Sequence, residues 1–492
     1  MPNAQLCVTV TGSTMTELRE RRDQVVNADL VELRLDTVAD PSGAGAVEGK
    51  RLPVIVTCRA KSEGGLFAGS DEERWSLLAE AQKYGADYID VEWKSNFYEL
   101  IERRRGRGIV VSYHDFEGVP ADLTAKVRAM RATGAEVVKV AVMARTLADN
   151  VPLLAAAKAE TKPFVALAMG DAGLVSRVLA ARFGSAWTYT GDAVAPGQIP
   201  AARMRGEFSF SQLSDTTSLY GVVGRPIMHS LSPVMHNAAF RSVGIDAVYV
   251  PLAAADFDDF LTFAEGIDIE GVSVTAPFKL AAFESANEYD AMSQKVQSAN
   301  TLKRVDGRWH GANTDVAGFL APLKGAPMRN QRAMVLGAGG AARSVSLALA
   351  SIGAKVTITA RRLDRAQFVA ARIGAAAVEW PPAPNSWDVL VNATPIGTAP
   401  DIAESPLPDG PFGGHLVYDL VYNPSETRLL REARAAGCRT IGGLAMLVGQ
   451  AQRQFEWWTG ERIDPQVMRD AAINALAAKS ADVKAPSGAV ET

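Results

Sequence analysis

The chain has 492 residues, 48% of them hydrophobic and 22% charged; at roughly 150 residues per domain this predicts two to four domains with ordinary cores and excludes bulk disorder. Lys plus Arg number 51 against 55 Asp plus Glu, a net charge of −4, the wrong balance for a protein held on nucleic acid by phosphate contacts. Three scattered cysteines, Cys7, Cys58 and Cys438, make neither a disulfide framework nor a zinc site.

No run of 18 or more apolar residues occurs, so no membrane-spanning helix is expected. The start, Met1-Pro2-Asn3-Ala4-Gln5, leads straight into an apolar run, so no signal or transit segment is expected. The expectation is a soluble, cytoplasmic protein with no membrane or nucleic-acid partner and no metal.

Over the first two hundred residues short apolar runs recur at Leu6–Val10, Leu30–Leu35, Val54–Thr57, Tyr88–Val91, Ile109–Ser112, Val137–Val142, Phe164–Ala168 and Trp187–Thr190. Amphipathic stretches such as Thr16–Val26, Asp71–Tyr84, Asp122–Thr133 and Val175–Phe183 separate them. Such alternation means parallel strands with crossover helices. Eight units predict a closed (β/α)8 barrel at the small end of its roughly 250-residue norm. An open doubly wound sheet is the alternative.

Charged residues inside these strands are informative. Glu32 and Arg34 are two apart and point to one face, as do Asp90 and Glu92. Arg59 ends the third strand and His114 the fifth. Lys139 sits inside the apolar run Val137–Val142. A buried ammonium is costly unless paired or deprotonated, and a nucleophilic lysine is made in this way. A structural ion pair for Glu32/Arg34, an edge-strand lysine and a core histidine are the plain alternatives. Together, at the ends of successive strands, the residues suit Schiff-base chemistry on an anionic carbonyl substrate.

These residues resemble type I 3-dehydroquinate dehydratase. The resemblance rests on Glu32-Leu33-Arg34, Thr57-Cys58-Arg59 with Glu63-Gly64-Gly65, Tyr88–Glu92, Val111–Phe116, Lys139–Met143, Met169-Gly170 with Ser176-Arg177, and Ala195-Pro196-Gly197-Gln198. It implies a TIM barrel over residues 1–213. It also implies that Lys139 forms the imine, that His114 moves protons and that Glu63 orients His114. Thr9, Glu32, Arg34, Arg59, Arg177 and Gln198 would hold the substrate. Thr9 stands where the family has a strand-one serine. Val194 replaces a serine frequent in the family's lid loop, which implies one substrate hydrogen bond fewer.

Residues Gly206–Ser218 read as a connector. Beyond it, Ser230-Leu231-Ser232-Pro233 opens a helix to about Val243, where the serines can cap the helix or hold a polyol or carboxylate. Gly271–Thr275 is a strand broken at Pro277, with Lys279 following. Asp306-Gly307 between Asn300–Arg304 and Trp309–Gly311 signals a hairpin. Asn313-Thr314-Asp315 precedes a helical run. Arg332–Leu336 leads into Gly337-Ala338-Gly339-Gly340-Ala341-Ala342 and a helix, the strand–loop–helix context of a dinucleotide fold. The next strand, Lys355–Thr359, ends in Ala360-Arg361-Arg362, with Arg365 beyond. Arginines there, in place of an acid, suit the 2′-phosphate of NADP.

The second half resembles shikimate dehydrogenase through the serine pair, Val274-Thr275 with Pro277 and Lys279, Ala299-Asn300-Thr301, Asn313-Thr314-Asp315, the glycine loop, Asn392-Ala393-Thr394, Tyr418–Tyr422 and Gly442-Gly443 through Gln450. The resemblance implies a dehydrogenase over 218–478. Its substrate lobe would be 218–323 plus 446–478, and its Rossmann lobe 324–445. Lys279 and Asp315 would be the catalytic pair. Ser230, Ser232, Thr275, Asn300, Tyr422 and Gln450 would hold the substrate. Gly337, Ala338, Gly339, Gly340, Ala341, Arg361, Arg362, Arg365, Thr394 and Gly443 would hold NADP. Residues 479–492 read as a disordered tail.

The two resemblances name consecutive reactions, so the chain is similar to bifunctional 3-dehydroquinate dehydratase/shikimate dehydrogenases. That implies 3-dehydroquinate, 3-dehydroshikimate and shikimate as ligands and NADPH as cofactor. A quinate-preferring second half, or an inactive metabolite-binding regulator, are the alternatives. The serine pair favours shikimate, and the presence of Lys139, His114, Lys279 and Asp315 disfavours the regulator. Oligomeric state is open, a monomer included.

Overall fold

The computed structural model describes residues 3–191, 195–410 and 412–484, with side chains through Lys479. Val194 lies outside the described residues. The chain forms two compact units, one built on residues up to Leu219 and one on residues from Glu270 onward; 225–228 and 246–269 group with the first, 220–224 and 229–245 with the second.

Eight strands of the first unit form one sheet: β1 Gln5–Val10, β2 Leu30–Arg34, β3 Val54–Thr57, β4 Tyr88–Glu92, β5 Ile109–Asp115, β6 Val137–Met143, β7 Phe164–Met169 and β8 Trp187–Thr190. Their order is β7-β6-β5-β4-β3-β2-β1-β8, and the ladders are parallel. A parallel bridge between Phe164 and Ser185 brings the ends together. This is the barrel, not the open sheet.

Strand alternation explains its interior. Cys7, Leu30, Ile55, Val110, Val137, Val165 and Trp187 form one apolar layer. Two residues further along the first six of these strands stand Thr9, Glu32, Thr57, Ser112, Lys139 and Leu167. Five of the six are polar, so the barrel changes from apolar to charged within one side-chain layer toward the strand C-termini, the catalytic end of such barrels.

The remaining strands form two sheets. One comprises β9 Ser218–Val223, β10 Ala247–Leu252, β11 Gly271–Val274, β12 Glu288–Tyr289, β13 Thr301–Val305 and β14 Arg308–Ala312, in the order β10-β9-β11-β13-β14-β12. Asp306 and Gly307 link β13 to antiparallel β14, both with positive φ (49° and 76°), the backbone a two-residue hairpin needs.

The other sheet comprises β15 Arg332–Leu336, β16 Lys355–Thr359, β17 Ala376–Val378, β18 Val389–Asn392, β19 Leu416–Asp419 and β20 Arg439–Ile441. Its order, β17-β16-β15-β18-β19-β20, is wholly parallel. The sequence direction reverses between β15 and β18, which is where such folds bind dinucleotides.

Two local expectations change. The helix Ser232–Val243 takes Leu231 as its cap, with no side-chain bond; Ser230 Oγ instead accepts the Ser232 N–H at 3.2 Å. The last helix runs Pro465–Lys484, so 479–484 are helical where a disordered tail was expected; 485–492 lie outside the described residues. Among the described residues no helix is long and apolar enough to cross a membrane, and no cluster of three His, Cys, Asp or Glu could hold a metal.

Candidate active sites

A cavity of about 120 Å³ opens at the C-terminal ends of the barrel strands. Thr9, Glu32, Arg34, Arg59, Glu63, His114, Lys139, Arg177 and Gln198 all line it. Lys139 is buried, and its Nζ lies 3.0 Å from Asp90 Oδ2 and 3.2 Å from Glu32 Oε1. The Tyr189 ring centroid is 4.1 Å from the same nitrogen. The lysine is therefore paired inside the barrel and does not reach out to water.

The alternative reading of Glu32 and Arg34 as an ion pair with each other is not what the structure shows. Arg34 makes a bidentate bond to Asp36, at 2.8 and 2.7 Å. Glu32 instead accepts from Lys139, Thr57 and Thr9. Alternation placed both residues on the cavity face, but the barrel wall supplied other partners. Arg59 donates to Asp90 at 3.0 Å and to Ser112 at 2.9 Å. Asp90 is fully buried; despite that burial, Arg59 and Lys139 hold its carboxyl far below the usual range.

His114 Nδ1 lies 2.9 Å from Glu63 Oε2. Burial, with Arg59 and Lys139 nearby, pushes the imidazole well below its ordinary pKa, while burial raises that of Glu63. Both influences favour the neutral form of the ring, which lines the same cavity as the lysine.

Arg177 is 2% exposed and forms no ion pair among the described residues. Among the described residues its Nη atoms donate to the carbonyls of Tyr189 and Pro196, at 3.3 and 3.2 Å, and Nε has no partner. Burial brings its pKa down to about 10. A desolvated guanidinium facing a cavity is a site for a carboxylate. Gln198 donates to Thr9 at 3.4 Å and binds the Ala195 N–H at 3.1 Å, which ties the described end of the loop to the barrel.

In the second unit Lys279 makes a direct ion pair with Asp315. Asn300 donates to the other oxygen of Asp315 at 2.8 Å, to Thr314 at 2.9 Å and to Gln450 at 3.4 Å. The strand ends of β11 and β13 and the start of the helix Asp315–Leu320 thus bring these residues together. The side chains of Thr275 and Tyr422 make no hydrogen bond to this cluster among the described residues. Tyr422 is strongly desolvated, which raises its pKa.

The glycine loop fits a dinucleotide. Gly337 has φ 114°, and a Cβ there would lie 2.9 Å from the Ala393 carbonyl, so only glycine closes this turn. The helix Gly340–Ser351 begins without a side-chain cap, leaving its N–H groups for a phosphate. A Cβ on Gly340 would meet Lys279 Cδ at 3.6 Å, so the lysine packs against the loop. Thr394 is fixed by Asn392 at 2.7 Å. A Cβ on Gly443 would clash with the Leu420 carbonyl at 2.1 Å, a packing constraint of its own. Arg361 and Arg365 are exposed and form no ion pair among the described residues, whereas Arg362 is engaged by Asp364 at 2.6 Å.

Sequence reasoning gave no role to Asp36, Asp90, Ser112, Thr314 or Gln454. The same-face alternation of Asp90 and Glu92 was the available signal for one of them.

Comparisons with known proteins agree with this division. Residues 6–215 match the family described as type I 3-dehydroquinase. Residues 222–302 match the shikimate dehydrogenase substrate binding domain, and 443–473 the shikimate 5′-dehydrogenase C-terminal domain. The chain is 34% identical over 471 residues to the chloroplastic bifunctional 3-dehydroquinate dehydratase/shikimate dehydrogenase of Arabidopsis thaliana, covering 88% of this chain and 78% of that one. It is 40% identical over 267 residues to shikimate dehydrogenase (NADP(+)) of Oleidesulfovibrio alaskensis, covering 53% and 96%. A crystal structure of shikimate dehydrogenase in complex with NADP+ superposes with TM-score 0.50 at 32% identity, covering 54% of this chain and 97% of that one.

Proposed function

The chain belongs to the family of bifunctional 3-dehydroquinate dehydratase/shikimate dehydrogenases, and from that premise we propose how its residues divide the two reactions. Residues 1–213 dehydrate 3-dehydroquinate. Residues 218–478 reduce 3-dehydroshikimate, with a substrate lobe of 218–323 plus 446–478 and a Rossmann lobe of 324–445.

In the barrel, Arg177 takes the substrate carboxylate, and Glu32, Arg34, Arg59, Thr9 and Gln198 hold the ring oxygens. Lys139 Nζ adds to the ketone, and water leaves to form the imine. His114 removes the proton on the carbon beside it. The electron pair flows into the imine, then expels the hydroxyl, which His114 protonates as water. Hydrolysis frees 3-dehydroshikimate and Lys139. The observation that carries this reading is one cavity holding a buried, paired lysine, a histidine bonded to Glu63, and a buried arginine with no ion pair among the described residues. Borohydride trapping with 3-dehydroquinate, followed by peptide mapping, tests it; a label on any residue other than Lys139 overturns it.

The second half uses NADP, which when bound supplies the hydride. Ser230, Ser232, Thr275, Asn300, Tyr422 and Gln450 orient the ring. Lys279 delivers or stabilises the proton at the new alkoxide, and Asp315 fixes its amine. Turnover of shikimate against quinate with NADP tests the substrate assignment, and equal kcat/KM values would remove it. The spatial gathering of Lys139 with His114 and of Lys279 with Asp315 supports an enzyme over an inactive regulator. Three buried free cysteines support a reducing compartment such as the cytoplasm.

A further inference from the structure

We infer that Gln454, which lies outside the substrate shell, is a positioning residue for the reducing site. It sets the orientation of the Asn300 carboxamide and through it the Asp315–Lys279 pair. The inference rests on the assignment of Lys279 and Asp315 to the reacting carbonyl.

Gln454 sits on the helix Leu444–Thr459, one turn beyond Gln450 and on the same face. It is 1% exposed. Its Nε2 donates to the Asn300 carbonyl at 3.1 Å and to Thr301 Oγ1 at 3.0 Å. Its Oε1 accepts from Ser273 Oγ at 2.8 Å.

The consequence lies in hydrogen-bond polarity. Because Thr301 Oγ1 accepts from Gln454, its single proton is free to point at Asn300 Oδ1, 2.9 Å away. Asn300 Oδ1 also accepts the Thr314 N–H at 2.8 Å. With its oxygen claimed twice, the amide presents Nδ2 to Asp315 Oδ1. That leaves Asp315 Oδ2 for Lys279. A donor–acceptor chain of one sense therefore runs from Gln454 through Thr301 and Asn300 to Asp315, whose other oxygen accepts from Lys279. Buried chains of this kind lose more than one bond when a link is removed.

Gln454→Leu removes every bond. Gln454→Glu keeps the acceptor for Ser273 but has donors only when protonated. Both variants, Thr301→Val, and the Gln454→Leu/Thr301→Val double variant are assayed in the full-length protein. Dehydratase turnover in the same chain normalises for the amount of intact protein, and KM for NADP reports folding of the second unit. The expected result for Gln454→Leu is a fall of about tenfold in shikimate-oxidation kcat, with KM for NADP within about twofold. The Gln454→Glu deficit should shrink as pH falls, a response that loss of packing does not produce. The double variant should be no worse than the poorer single one. An unchanged kcat in Gln454→Leu, a pH-independent deficit in Gln454→Glu, or additive losses overturn the inference. Lys279→Met separates the premise: full activity in that variant sinks the assignment of the pair, whereas its inactivity beside a normal Gln454→Leu sinks the positioning role alone.

Discussion

Lys139 and Asp90 meet at 3.0 Å across the barrel interior, from strands that are not neighbours. The same carboxylate oxygen accepts from Arg59, also at 3.0 Å, and Ser112 holds the second oxygen. One buried acid therefore fixes both the lysine proposed as nucleophile and an arginine that lines the same cavity.

Asp90→Asn keeps the volume and removes the charge. Two buried cations then lose a partner, and breaking a buried pair costs roughly 3–5 kcal/mol. Dehydratase kcat should fall at least about 100-fold, because the amine is no longer aimed at the ketone. Urea denaturation and the two activity assays check this. Wild-type dehydration in the variant would show that Glu32 alone suffices to aim Lys139.

Arg177 should behave oppositely toward stability. Its guanidinium is desolvated with no carboxylate partner among the described residues, so Arg177→Met removes a burial cost from the substrate-free protein. Stability should hold level or rise by about 1 kcal/mol. KM for 3-dehydroquinate should rise on the order of 100-fold, since a buried charge-assisted contact is lost. A strongly destabilised variant would mean that the arginine is structural.

The barrel was readable because alternation fixes faces. Each run beginning Leu30, Ile55, Val110 or Val137 sends every second residue inward, so Glu32, Arg59, His114 and Lys139 announce a polar layer above an apolar one. Partners were not readable. Glu32 finds Lys139 107 residues away, because barrel curvature, absent from local pattern, decides which inward residues touch. The same limit hid Gln454, whose partners lie more than 150 residues upstream. The glycine loop was plain from its strand–loop–helix setting, whereas the helical stretch 479–484, Lys479-Ser480-Ala481-Asp482-Val483-Lys484, carries no apolar periodicity and runs on in sequence into Pro486 and Gly488.

The pH response of dehydration follows from His114. The groups facing it are Glu63, Arg59, Lys139, Asp90 and Arg34. Burial and the cations favour the neutral ring, so its pKa lies well below the ordinary 6.5. As pH falls below 6.5 the unfolded chain takes up this proton first, so the ring's contribution to stability is present above 6.5 and is lost toward acid. The free ring stays a competent base over the same interval. The acid limb of dehydratase kcat/KM should therefore fall below pH 6.5, and a limb at or above that value contradicts the assignment of His114 as the base.

Cofactor choice should depend unequally on the three arginines after β16. Arg362 is tied to Asp364, while Arg361 and Arg365 carry no ion pair among the described residues. An unpaired guanidinium can meet a 2′-phosphate without first breaking a bond. A charge-assisted hydrogen bond contributes roughly 1.5–3 kcal/mol, about 10- to 100-fold in binding. Arg361→Ala should lower kcat/KM for NADPH by about that factor and leave NADH nearly unchanged. Arg362→Ala should cost only a few-fold, because its charge is already answered by Asp364. Steady-state kinetics with both cofactors checks the order; a larger loss at Arg362 would show that its pairing with Asp364 gives way to the phosphate.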